Sequence, residues 1–225
     1  MAQSAYRPPT AFSIMPPVVK NLLIINGLAF LAQLTFGDFL VQWFALWPAG
    51  LPDALPQLFW PWQLVTMAFL HGGFGHIFFN MFGLWMFGMR IENVLGSRRF
   101  ALFYFTCVLG ASLLQLLTIS APFLFGIGEP AVVPTLGASG GVLGVLAAFG
   151  LLYPDERIYV YFLFPIPAKW FVLGLAALDL YAGYAGTNTG VAHFAHLGGM
   201  LAGALLIQFW RGRFPFTRRR VQNRA

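Results

Sequence analysis

Six apolar runs divide the chain, each bounded by polar, glycine-rich or proline-rich sequence. A helix needs ~20 apolar residues to cross ~30 Å of hydrocarbon. The first run covers about residues 18–36, the second 74–89 and the third 100–119. The fourth opens at Ser139 and fades at Tyr153, the fifth covers 168–185 and the sixth 191–210. The pattern predicts six membrane-spanning helices, since lipid admits only helices and closed barrels. The segment from Gly37 to about Gly73 is irregular and carries Trp43, Trp47, Trp60 and Trp62 among several prolines. Tryptophan prefers the headgroup level, so this loop is expected to lie in the membrane interface. A short apolar stretch, Ile158–Phe164, is stopped by Pro165 and Pro167 and is placed at the opposite interface.

Composition agrees. Only 9% of the 225 residues are charged, against ~25% in soluble proteins. That excludes a soluble enzyme and a disordered chain. The single Cys107 excludes an intrachain disulfide. No cleavable signal pattern opens the chain: no apolar stretch with a cleavage site follows Arg7, Pro8 and Pro9. With six spans and a cytoplasmic N-terminus, all 13 Lys and Arg fall on the inner side, as the positive-inside rule requires. Three parts follow: a cytoplasmic tail (1–17), a six-span core (18–210) and a basic cytoplasmic tail (211–225). The net charge of +6 is therefore read as topology and attraction to an anionic leaflet. The Arg218–Arg220 run is not read as a nucleic-acid site.

Polar side chains inside such helices are functional candidates. His71 and His76 lie before and within the second run, His193 and His196 within the sixth, and Ser139 opens the fourth. The fourth helix is ~22 Å long at 1.5 Å per residue, so Ser139 is sunk below the outer face. His196 lies roughly 8 Å down by the same rise, at similar depth. Gly140 and Gly144, and Gly199 and Gly203, are small residues at i, i+4, which lets two helices approach closely. A serine hydroxyl needs a base, and histidine is the usual one. His76 and Asn80 share a helix face and can donate to an oxyanion, as can the Ser139 N–H at a helix start. His193 is a rival base without the glycine spacing. Four histidines would suffice for zinc, but a metal would leave Ser139 and the glycines unexplained, so none is expected. Asp179, inside the fifth run, is read as a hydrogen bond to a neighbouring helix, with nothing marking it as a third member of the Ser–His pair.

Together these residues resemble the rhomboid intramembrane serine proteases. The resemblance spans the six-run core: Gly137-Ala138-Ser139-Gly140 matches the nucleophile motif, His196 with Gly199 and Gly203 the base motif, and His71, His76 and Asn80 the motif opening the second span. It implies an all-α rhomboid bundle with Ser139 and His196 as a catalytic dyad. It also implies His76 and Asn80 at the oxyanion, with Gly137, Gly140, Gly199, Gly203 and His71 in support. The family's Trp-Arg pair reads Trp62-Gln63 here, and the partner of that pair resembles Glu92. The aromatic residue often found four after the serine is Leu143. The resemblance implies cleavage of transmembrane segments of other proteins, without a cofactor, and a bacterial inner membrane is expected. The competing readings are a non-catalytic rhomboid-like protein that binds membrane clients, and a small channel or transporter. The transporter reading lacks the internal repeat it would predict.

Overall fold

Helix α1 (Pro17–Phe44) outlasts the first apolar run by eight residues, bending at Phe36 (φ −118°, ψ 30°) where that run ends. The computed structural model describes residues 12–51, 58–127, 132–160, 163–186 and 192–212. After α1, a short helix α2 (Gln63–Thr66) and a 3-10 turn (Met67–Phe69) lead into α3 (Phe74–Gly83). A π-helical turn (Leu84–Gly88) joins α3 to α4 (Met89–Leu95), so the second rod continues six residues beyond Met89. Then follow α5 (Ser97–Phe125), α6 (Ser139–Leu152), α7 (Ala168–Tyr184) and α8 (His193–Trp210). Two of these helices, α1 and α5, are long and apolar enough to cross a membrane.

One expectation changes. The apolar stretch after α6 is not wholly irregular. Arg157–Val160 (β1) and Phe164–Pro167 (β2) pair antiparallel, Ile158 opposite Ile166, so an all-α description omits a small hairpin. Pro165 and Pro167 are tolerated because a two-stranded ribbon consists only of edges, where a missing donor need not break the ladder. The expected tails lie mostly outside the described residues, as do Arg7, Arg213, Arg218–Arg220, Arg224 and the first residue of the sixth run, Val191.

The core is built around α6, buried along almost its whole length. Its small residues explain this. A methyl on Gly141 would stand 2.8 Å from the Tyr104 ring, and one on Gly144 2.5 Å from Cys107 Sγ. Fully buried Phe100, Phe103, Tyr104, Cys107 and Val108 of α5 complete this centre. Outward positions stay apolar: Leu28, Leu31 and Leu34 of α1, Phe74 and Phe79 of α3, and Leu178, Tyr181 and Tyr184 of α7 are exposed. A water-soluble monomer rarely shows apolar surface on this scale.

The two ends of the bundle differ. At one, Arg90 pairs with Glu156, Lys169 with Asp155, and Arg211 donates to the Leu151 carbonyl. At the same end Glu92, almost fully buried, accepts from the Val18 and Val19 N–H groups (3.0 and 2.8 Å) and from the Ser97 hydroxyl (2.7 Å). A carboxylate there caps the start of α1 and complements its dipole. Glu92 is thus not the partner of Gln63. Gln63, fully buried at the other end, accepts from the Trp47 N–H and donates to the carbonyls of Trp43 and Leu58. It holds together a loop in which Trp60 stacks on Trp62 at 4.9 Å and the Trp62 indole donates to the Trp43 carbonyl.

Candidate active site

The segment before α6 is fixed on three sides. Thr135 exchanges two backbone hydrogen bonds with Leu46, its hydroxyl takes one from Gln115, and the Gly137 N–H donates to the Met67 carbonyl. Gly137 adopts φ +133°, open essentially to glycine. A side chain there would also meet the His76 ring at 2.7 Å. The chain then enters α6 at Ser139, whose backbone N–H lies in the first turn, where helices leave donors without intrahelical partners.

Helices α6 and α8 touch through glycine. A methyl on Gly199 would collide with the Gly140 carbonyl oxygen, and one on Gly203 would stand 2.9 Å from the Gly144 carbonyl oxygen. Leaving out Cβ lets the backbones meet. One turn outward from Gly199, His196 reaches across, its Nε2 2.9 Å from Ser139 Oγ. Serine, imidazole and the two glycine pairs, Gly140 with Gly144 and Gly199 with Gly203, are thus brought to one seam.

His76 approaches the same point from α3. The Gly72 N–H donates to His76 Nδ1 at 3.2 Å. An imidazole nitrogen that accepts carries no proton, so in the neutral ring the hydrogen is on Nε2, the edge that faces Gly137. Asn80, one turn further on, spends one amide N–H on the His76 carbonyl at 2.9 Å. His71 is 3% exposed, and neither ring nitrogen has a hydrogen-bond partner among the described residues. Burial, helped by the neighbouring His76, pushes its pKa down to about 4, so it is neutral at pH 7. Its ring meets that of His76 edge-on at 5.2 Å, while its backbone N–H and carbonyl are clasped by the Gln33 amide of α1. Leu143 packs against the core.

The sequence reading missed one arrangement. Asp179, 9% exposed on α7, does bond to a neighbouring helix, but the partners are the two histidines of α8. Its Oδ1 lies 2.7 Å from His193 Nδ1 and 3.1 Å from His196 Nδ1. Asp179, His196 and Ser139 therefore form a continuous hydrogen-bonded chain. The available signal was the cost of a buried carboxylate together with two histidines at i, i+3, which share a helix face. The three donor atoms lie within 4.8 Å of one another, so a metal is conceivable. However, ligands ~2.0 Å from a tetrahedral ion sit ~3.3 Å apart, and 2.7 Å between Asp179 and His193 is hydrogen-bond spacing.

A helical bundle of membrane character with a serine–histidine pair at one end defines a class, and comparison with known proteins supplies the family. Residues 59–213 match the family model described as Rhomboid domain. The chain belongs to the rhomboid family, whose members are integral membrane proteins and generally intramembrane serine proteases. It is 34% identical over 144 residues to Rhomboid protein 1, mitochondrial, of Saccharomyces cerevisiae, covering 64% of this chain and 40% of that one. It is 32% identical over 142 residues to Rhomboid protease GluP of Bacillus subtilis, covering 63% of this chain and 24% of that one. It is 30% identical over 190 residues to Presenilin-associated rhomboid-like protein A, mitochondrial, of Danio rerio, covering 80% of this chain and 45% of that one. The chain thus spans less than half the length of each of these relatives.

Proposed function

We propose that this protein is an intramembrane serine endopeptidase that cuts transmembrane segments of other membrane proteins. The observation that carries the reading is the 2.9 Å approach of His196 Nε2 to Ser139 Oγ, a distance at which a base can take the hydroxyl proton. His196 removes that proton as Ser139 attacks the scissile carbonyl, and returns it to the leaving amine. Water, activated by the same imidazole, then attacks the acyl-enzyme and releases the second product. The developing oxyanion is held by the Ser139 N–H, the His76 Nε2–H and the remaining amide hydrogen of Asn80. A substrate helix must unwind locally, because an intact helix ties up its carbonyls in i→i−4 bonds.

The rods α1, α3–α4, α5, α6, α7 and α8 are read as six spans with both termini cytoplasmic. The clustering of Arg90, Lys169 and Arg211 at the end opposite the serine supports this orientation. The site then opens towards the outer face, from which water enters. We assign the protein to a bacterial inner membrane. The mitochondrial relatives make an organellar membrane the second location.

A fluorophosphonate should label the folded wild type and neither Ser139→Ala nor His196→Ala. Incubation with a panel of single-span proteins in liposomes should yield new termini inside or beside their spans. Folded wild-type protein that neither labels nor cuts between pH 6 and 9 would instead favour a client-binding relative without catalysis.

A further inference from the structure

We propose that Asp179 is a positioning residue for His196 and that His193 holds Asp179 in place. The inference rests on the reading of Ser139 and His196 as the cleavage pair, and extends that pair to a chain of four side chains on three helices. A carboxylate only accepts hydrogen bonds. With Asp179 Oδ1 at 3.1 Å and Oδ2 at 3.3 Å from His196 Nδ1, the imidazole hydrogen must sit on Nδ1. That leaves a lone pair on Nε2, 2.9 Å from Ser139 Oγ. This is the only neutral tautomer that can take the serine proton. The opposite tautomer would point an N–H at the hydroxyl and leave two buried groups facing each other without a shared hydrogen.

The same carboxylate faces the positive charge that His196 gains as the reaction proceeds, and a fixed charge needs no reorganisation at that moment. His193 sits one helical turn before His196 and donates from Nδ1 to Asp179 Oδ1 at 2.7 Å, closer than His196 does. The carboxylate is thereby held through Oδ1, the same oxygen that lies nearer His196, which opposes its turning away from that ring. The ionisable groups around His196 are Asp179 from α7, His193 from α8 itself and His76 from α3, with the Ser139 hydroxyl from α6. Asp179 carries the only negative charge among them.

A purely structural bond between α7 and α8 would leave the chemical step alone once the protein is folded, so the test separates kcat from KM. Asp179→Asn keeps size and polarity but loses the charge and the second accepting oxygen. For the same substitution in a Ser-His-Asp triad, kcat falls ~10⁴-fold because the wrong tautomer forms. Here kcat for a single-span substrate should fall at least ~100-fold with KM within ~3-fold of wild type, and the fluorophosphonate rate should fall in parallel. His193→Ala should lose ~10-fold in kcat, and His193→Asn, which restores a donor, should recover most of that loss. A folded Asp179→Asn protein with kcat within ~3-fold of wild type would overturn the proposal.

If Asp179→Asn fails to fold, ¹⁵N NMR of histidine-labelled wild type decides. His196 must carry its hydrogen on Nδ1, and hydrogen on Nε2 refutes the assignment. Failure of the parent reading looks different. Folded wild type would then neither label nor cut, while the NMR signature of Asp179 on His196 would persist.

Discussion

Alanine at Gly199 adds one methyl group at the tightest point of the seam between α6 and α8. Its Cβ would collide with the Gly140 carbonyl oxygen and stand 2.6 Å from the carbonyl carbon, where ordinary contact begins near 3.4 Å. Backbone cannot swing aside as a side chain does, so α8 must retreat from α6 by about 1 Å. His196 rides on the same face one turn away, and its 2.9 Å separation from Ser139 would open to about 4 Å, beyond hydrogen-bond reach. A misplacement of ~1 Å costs ~10²-fold in rate, and overpacking a tight interior costs ~1–3 kcal/mol. The cleavage rate and the fluorophosphonate labelling rate of Gly199→Ala should therefore both fall about 100-fold, with the melting midpoint in detergent down by several degrees. Gly27→Ala serves as control, since nothing lies within 4 Å of the added methyl, and it should leave both rates unchanged. If Gly199→Ala labels and cuts within threefold of wild type, backbone contact is not what brings the pair together.

Gly137→Ala should weaken oxyanion stabilisation by pushing the His76 ring off its place, lowering kcat by ~10²-fold with little change in KM. An unchanged kcat would separate His76 from the chemistry. Gln63→Arg should lower the melting midpoint, because an arginine cannot accept the Trp47 N–H and buries an unpaired charge. Equal or higher stability would mean that the loop rearranges around it. Glu92→Ala should destabilise the fold by ~3 kcal/mol through three lost charge-assisted bonds at the start of α1, while surviving folded protein keeps its labelling rate. His71 lowers stability in acid. Its folded pKa of about 4 lies below the ordinary 6.5, so the unfolded chain takes up the proton first, and stability present above pH 6.5 is lost as pH falls towards 4. The melting midpoint of His71→Phe should decline less steeply over that window, and an equal slope would refute the assignment.

Much of this geometry was legible because it is carried by local rules. Ser139 at a helix start, His196 with Gly199 and Gly203, and Gly140 with Gly144 are spacings along single helices, and glycine repeats reveal where two backbones meet. The end of the first apolar run marked a bend at Phe36, not the end of α1: Gly37 and Asp38 interrupt the apolar pattern, but the helix runs on to Phe44. The β1–β2 hairpin was hidden by Pro165 and Pro167, which usually end elements. The partners of Asp179 and Glu92 escaped the sequence for one shared reason, although the bond from Asp179 to a neighbouring helix was foreseen: which groups a carboxylate meets depends on how helices are arranged in space, and neither α7 over α8 nor α4 under α1 is written in residue spacing. Gln63 shows the converse, since its motif position was plain but its three backbone partners were not.

The π-helical turn at Leu84–Gly88 sets the angular offset between the two halves of the second rod. Such a turn absorbs one additional residue. Removing it would swing everything beyond by about 100°, turning Glu92 off the base of α1 while His76 and Asn80 kept their aim. On the proposed reading the rod is like two keys cut from one blank and set at a fixed angle by the turn, one for reaction and one for anchorage. Descendants of this sequence can recut either without spoiling the other.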